Sequence, residues 1–200
     1  RAPFMHCVFT GSTHSPYDHP KSSRQNWKGK ETDFMNSLIY ADDCLGKFIR
    51  NCKSQPWFDN TIFVFVADHG HATPQYADYS CTEFYRIPFL IWGEPLKQDY
   101  RGKRIDKVGS QIDIPATILN QMGQGYEAYP WSKDLLNPNA PAFALHTTIN
   151  GYGWVTDKGS TVYEYFQKKR IRNTFNSADS ATEIEKGNAF LVEVYRAFKG

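Results

Sequence analysis

Asp68, His69 and His71 fall within four positions of the stretch TIFVFVADHGHATPQY, residues 61–76, immediately behind an uninterrupted run of strand-forming residues. A carboxylate and an imidazole delivered together at the end of a buried strand are a donor pair suited to a divalent transition metal such as zinc or manganese. His71 is a candidate further ligand, or a group that orients one. A second imidazole, His14 in THSPY, follows another short apolar run, FMHCVFTG at 4–11. It has the chemistry to hydrogen-bond developing charge or to protonate a leaving group. Taken singly, Asp68 serves equally well as a turn or helix-cap residue, and each histidine as an ordinary hydrogen-bonded loop residue. Asp18 and His19 read as solvent-facing loop residues, and Tyr17, Trp27 and Tyr76 as packing residues or cleft lining.

The segments around these residues predict what positions them. Residues 4–11 read as a short buried strand closed by Gly11, followed by a long polar loop broken by Pro16 and Pro20. From Thr32 to about Lys53, Phe34, Leu38, Ile39, Leu45, Phe48, Ile49 and Cys52 share one side of a 3.6-residue period, which predicts an amphipathic helix capped by Thr32 with Asp33 in its first turn. TIFVFVA then predicts a strand apolar on both faces, as in a parallel sheet covered by helices, and IPFLIWG at 87–93 predicts another. Strand, helix, strand in that order suggests a right-handed crossover, and a shared carboxyl edge would gather His14, Asp68 and His69. SQIDIPATILNQMG at 110–123 reads as a turn and a helix stopped by Gly123.

Beyond Pro141 the pattern changes to short strands, AFALHTTI, GWVTD and TVYEYFQ, separated by the turns NGYG and DKGS. Ser180 with Glu183 forms a possible capping box for a last helix whose apolar face includes Phe190, Leu191, Val194 and Phe198. The fold class expected is therefore α/β, with a predominantly parallel core over 1–140 and a small antiparallel sheet plus terminal helix over 141–200.

Composition narrows the function classes. With 23 basic and 21 acidic residues the net charge is +2, too small and too scattered to suggest a nucleic-acid or anionic-membrane surface by itself, and the densest cluster, KKRIR at 168–172, reads as a solvated strand end. No apolar run approaches the roughly 20 residues of a membrane helix. The chain starts at Arg1 without an initiator Met or signal peptide, so any export signal or anchor is expected upstream. Cys7, Cys44, Cys52 and Cys81 lack CxxC spacing and read as buried thiols.

Four blocks, NSLIYADDCLGKFI, WFDNTIFVFVADHG, RIPFLIWG and VGSQIDIPATILNQMG, resemble in order and spacing the C-terminal half of the sulfatase group of the alkaline phosphatase superfamily, over residues 37–123. THSPY ahead of them is similar to the lipoteichoic acid synthase, or phosphoglycerol transferase, branch. The resemblance implies part of a sulfatase-like sandwich and an extracytoplasmic enzyme, membrane-anchored through an upstream segment. In such an enzyme a Thr nucleophile on a divalent metal attacks a phosphoester. It implies Asp68 and His69 as metal ligands and His14 as a substrate contact, with manganese or zinc as the metal, or calcium in a true sulfatase. The substrate implied is a phospholipid headgroup or a small sulfated or phosphorylated ester.

The departures matter as much. No C/S-x-P-x-R nucleophile motif occurs in the 200 residues, so no catalytic nucleophile is assigned here. It is expected upstream, in a missing N-terminal half of the same domain, and the chain alone is expected to be inactive. HATPQYADYSCTEFYR, 71–86, has no Lys where true sulfatases commonly contact sulfate, which tilts the expectation toward phosphoesters, with Arg86 a possible anion contact. A sulfatase is the alternative, and a non-catalytic binding domain that retains the fold is the alternative of another class.

Overall fold

The computed structural model describes residues 3–20, 31–72 and 78–200. Trp27 and Tyr76 lie outside them. The chain divides into two compact units, residues 1–63 with 91–97 and residues 64–90 with 98–200.

In the first unit, helix α1 spans Thr32–Cys52. Its N-cap is Glu31, which makes no side-chain cap bond, so Thr32 is the first helical residue and not the cap. Asp33 does occupy the first turn, where a carboxylate opposes the positive end of the helix dipole. The innermost residues of α1 are Asn36, Ser37 and Cys52, whereas Leu38, Leu45 and Phe48 of the apolar stripe remain substantially exposed. Residues 4–11 form no strand among the described residues: Phe4, Met5, Val8 and Phe9 are exposed. An extended segment needs a neighbour to take its backbone hydrogen bonds, and none of the described strands pairs with it.

Strands β1 (Phe63–Val66) and β2 (Phe89–Trp92) form a two-stranded sheet. The ring of Phe63 meets that of Trp92 at 5.3 Å, and the amide of Ala67 donates to Pro88 O at 3.4 Å, so the strands run in opposite directions. This corrects the parallel reading. An apolar run on both faces marks a strand in contact on both sides but does not encode its neighbour's direction. Among the described residues every sheet is antiparallel.

Helix α2 (Ile114–Gln121) follows a single 3-10 turn at Gln111–Asp113, as expected, and Gly123 ends the segment at φ +68°. Asp113, fully buried, fixes this start. Its carboxylate accepts from the amides of Ser110 (2.8 Å) and Lys133 (3.1 Å) and pairs with the Lys133 ammonium. Burial pulls the Lys133 amine down from its ordinary range, and Asp113 pulls it partly back. Thr117, also fully buried, donates to Asp113 O and accepts from the amide of Leu135, which ties the WSKDLL segment to α2.

The C-terminal sheet is a meander in the order β3 (Phe143–Thr148), β4 (Gly151–Thr156), β5 (Gly159–Glu164), β6 (Lys169–Asn173), all antiparallel. KKRIR is thus a paired edge strand. NGYG is not a turn: the chain reverses at Ile149 and Asn150, and Gly151 to Gly153 are already β4. A Cβ at Gly151 would stand 1.8 Å from Tyr163 O, and one at Gly153 would stand 2.0 Å from the His146 ring. The other side of β4 presents Tyr152 and Trp154, buried with Phe175 against Phe143, Leu145 and Phe190.

That side is covered by helix α3, Ser177–Lys199, whose N-cap is Asn176 accepting from the amide of Asp179. The helix therefore begins ahead of the expected Ser180 cap. Glu183 is not a capping residue; it is buried and accepts from Trp154 Nε1 (3.3 Å) and Lys186 Nζ (2.8 Å). Phe190 and Leu191 pack on the core as expected, but Phe198 is exposed. All four cysteines are free. Cys52 and Cys81 are buried, Cys44 is half-buried, and Cys7 is exposed, contrary to the uniform expectation.

Candidate functional site

Asp68 and His69 emerge two and three residues beyond the end of β1, at the turn that closes the apolar run. Both side chains are largely exposed, 58% and 73%. Three local bonds shape them. The amide of His69 donates to Asp68 Oδ1 (2.9 Å), His69 Nδ1 lies 2.8 Å from Gly70 O, and His69 Nε2 lies 3.6 Å from Asp68 Oδ2. Because a carbonyl only accepts, the bond to Gly70 assigns the proton to Nδ1 and leaves the Nε2 lone pair free. One free nitrogen and one free carboxylate oxygen then face each other at the separation of two donors sharing an ion. Fixing the far ring nitrogen on a carbonyl is the usual way a ligating imidazole is oriented.

The donor types and geometry fit half of a divalent-metal site. No third His, Cys, Asp or Glu joins them among the described residues. A catalytic zinc takes three protein ligands, so further donors are required from outside the described residues. His71 is half-buried, two residues farther along the same loop.

The turn is braced from within its own unit. Gln111 Nε2 donates to both Ala67 O (2.7 Å) and Asp68 O (2.8 Å), which clamps the backbone that carries the carboxylate. Gly70 passes so close to Phe84 that a Cβ would stand 1.8 Å from its carbonyl oxygen. Next to Phe84, Tyr85 stacks on His146 at 3.9 Å, and that imidazole fills the space left by Gly153. Neither ring nitrogen of His146 makes a well-formed hydrogen bond among the described residues. Burial holds its pKa down at about 4, against a smaller upward pull from the Thr147 backbone, so the ring is neutral at neutral pH. Burial likewise raises the Tyr85 phenol, whose hydroxyl donates to Tyr79 O at 3.0 Å. Sequence reasoning missed this support. The SQID block gives Gln111 a place beside a helix start, but its acceptors are backbone carbonyls 43 and 44 residues away, which no local pattern announces.

His14 belongs to the first unit. It is exposed, with Nδ1 at 2.6 Å from Ser15 O, so its Nε2 also faces outward as an acceptor. Tyr17 packs edge-on against Phe34. His19 is not a free solvent-facing residue: it is half-buried and stacked on Tyr40 at 5.2 Å. Asp18 and Arg86 are exposed.

The fold matches that of a Vibrio parahaemolyticus protein of the alkaline phosphatase superfamily, with a TM-score of 0.71 and 25% identity, over 95% of this chain and 48% of that one. A profile of the family described as Sulfatase matches residues 1–124, and the chain belongs to that family. Among curated relatives, a lipoteichoic acid synthase-like protein of Bacillus subtilis is 23% identical over 162 residues, 72% of this chain and 26% of the relative. Phosphoglycerol transferase I of Xanthomonas axonopodis is 23% identical over 149 residues, covering 71% and 20%. Arylsulfatase K of the dog is 26% identical over 140 residues, covering 60% and 26%. The chain thus spans between a fifth and about a quarter of the length of these curated relatives.

Proposed function

We propose that this chain is part of a metal-dependent phosphoglycerol transferase or phosphoester hydrolase acting outside the cytoplasmic membrane, with residues 141–200 an appended subdomain. The observation that carries the reading is the pairing of Asp68 Oδ2 with the free Nε2 of His69 at 3.6 Å, on a turn braced by Gln111 and Gly70. Asp68 and His69 hold the metal, and His71 supports or joins them. A bound divalent ion supplies Lewis acidity toward the ester oxygen and activates a hydroxyl nucleophile. Within this chain, the Nδ1–H bond to Gly70 keeps His69 in its ligating tautomer. His14 binds the phosphoryl or glycerol group and, when Nε2 is protonated, can deliver that proton to the leaving oxygen. The nucleophile and the remaining ligands come from the rest of the intact protein in this reading, so the chain alone is expected to be inactive.

Similarity to a lipoteichoic acid synthase-like protein and to phosphoglycerol transferase I supports a phosphoglycerol substrate carried on a lipid. Similarity to arylsulfatase K keeps sulfate-ester hydrolysis as the second reading, although no lysine follows the DHG turn within residues 71–86. The test is turnover by the intact protein of a fluorescent phosphatidylglycerol and an aryl sulfate, each with manganese, zinc or calcium. Diacylglycerol release with manganese supports the transferase, and sulfate release with calcium supports the sulfatase. Asp68→Ala should abolish metal binding at the site, and full retention of binding would sink the assignment. No turnover of either substrate favours a non-catalytic binding domain.

A further inference from the structure

The end of the C-terminal sheet where β3 turns into β4 and β5 into β6 carries an exposed apolar group that no role above uses. The two turns are bonded together, the amide of Tyr165 donating to Asn150 O at 2.7 Å. Ile149 and Phe166 project from them, 78% and 82% exposed. The Tyr165 phenol is also half-exposed and lies near that of Tyr195 in α3, about one helical turn before Phe198, which is 87% exposed. The arrangement is held in place: the Glu164 carboxylate accepts from the amides of Phe166 (3.2 Å) and Gln167 (2.5 Å). Large apolar side chains are normally withdrawn from water, and several of them held at one exposed tip mark an interaction surface.

Charge decides which partner. Lys168, Lys169 and Lys199 flank the cluster and have no ion-pair partner among the described residues. The acidic groups nearby are spent, Glu164 on the turn amides and Glu193 on Arg196 at 2.5 Å. Phenylalanine, isoleucine and tyrosine side chains ringed by free lysines match a bilayer interface, where apolar rings enter the acyl boundary and flexible ammonium groups reach the phosphates. We propose that this tip docks on an anionic lipid surface. KKRIR is then the cationic flank of a membrane-contact site, not merely a solvated edge. The proposal does not depend on the metal site.

The test is co-sedimentation of the full 200-residue chain with vesicles of phosphatidylglycerol and phosphatidylcholine, against vesicles of phosphatidylcholine alone. The substituted residues are exposed, so the variants fold, which circular dichroism verifies. The expected result is sedimentation with the anionic vesicles only, released by added salt. The pairs Phe166→Ser with Ile149→Ser and Lys168→Glu with Lys169→Glu should each lower the partition constant about tenfold or more. Asp68→Ala should leave it unchanged, whatever becomes of the metal reading. Absence of sedimentation, equal binding to both vesicles, or variants that bind like the parent chain would overturn the proposal. Concentration-dependent dimers lost in the Phe166 and Ile149 variant, without vesicle binding, would assign the tip to a second copy instead.

Discussion

Gln111 holds two carbonyls with one amide group, and this makes it the most informative side chain around Asp68. Gln111→Glu places a carboxylate against the carbonyls of Ala67 and Asp68, and should weaken manganese binding by the intact protein about tenfold, as loss of ligand-orienting groups does elsewhere. Gln111→Leu should do so less, because it removes the donor without adding repulsion. Calorimetric titration checks both, and affinities equal to the parent's would remove Gln111 from the site. His146 makes a separate prediction. Its folded pKa, about 4, lies below the ordinary 6.5, so as pH falls the unfolded chain takes up the proton first. Its contribution is therefore intact above pH 6.5 and lost on acidification toward 4, by roughly 3 kcal/mol. Urea midpoints across that window should fall in the parent chain and flatten in His146→Phe. The turn that carries Asp68 and His69 was legible because it closes an apolar run directly. Gln111 and His146 were not, because what matters is the contact each makes across the fold, with a carbonyl or with a glycine's empty side.

Among the elements, helices proved more readable than strand partners. The 3.6-residue period placed α1 within a residue of its ends, and the turn, helix and Gly123 of 110–123 stand as expected. Strand direction was misread because a run apolar on both faces, as TIFVFVA is, looks the same beside a parallel or an antiparallel neighbour, and in the structure Ile62 and Val66 stay exposed. β4 was truncated at its start because two glycines resemble a turn until their surroundings are known: Tyr163 O and the His146 ring leave no space for a Cβ. The start of α2 carries its own prediction. Asp113→Ala strips the capping box and strands the Lys133 ammonium, which is only 12% exposed. The loss expected is about 3–5 kcal/mol, read by chemical denaturation. A change below measurement error would show that the α2 start does not depend on this carboxylate.

For the molecule as a whole, Phe4, Val8 and Phe9 in the first unit are exposed along with much of the α1 stripe. An uncovered apolar surface of this kind promotes association. The chain should form concentration-dependent oligomers by light scattering, and a monodisperse monomer over a wide concentration range would contradict this. The sulfatase-family blocks were legible as a whole: the segment that carries them, 37–123, lies within the family match over residues 1–124. The meander order of the C-terminal sheet bears on how the protein comes into being. Each of its strands pairs with its sequence neighbour, so the loops closed are short and little chain entropy is lost in closing them. Topologies built from such local contacts fold quickly. In pulse-labelled hydrogen exchange, the amides of β3 to β6 should gain protection together and before those joining β1 to β2, whose ends lie more than twenty residues apart. Residues 143–173 would then reach their native arrangement before the turn that carries Asp68 and His69 has its own sheet in place.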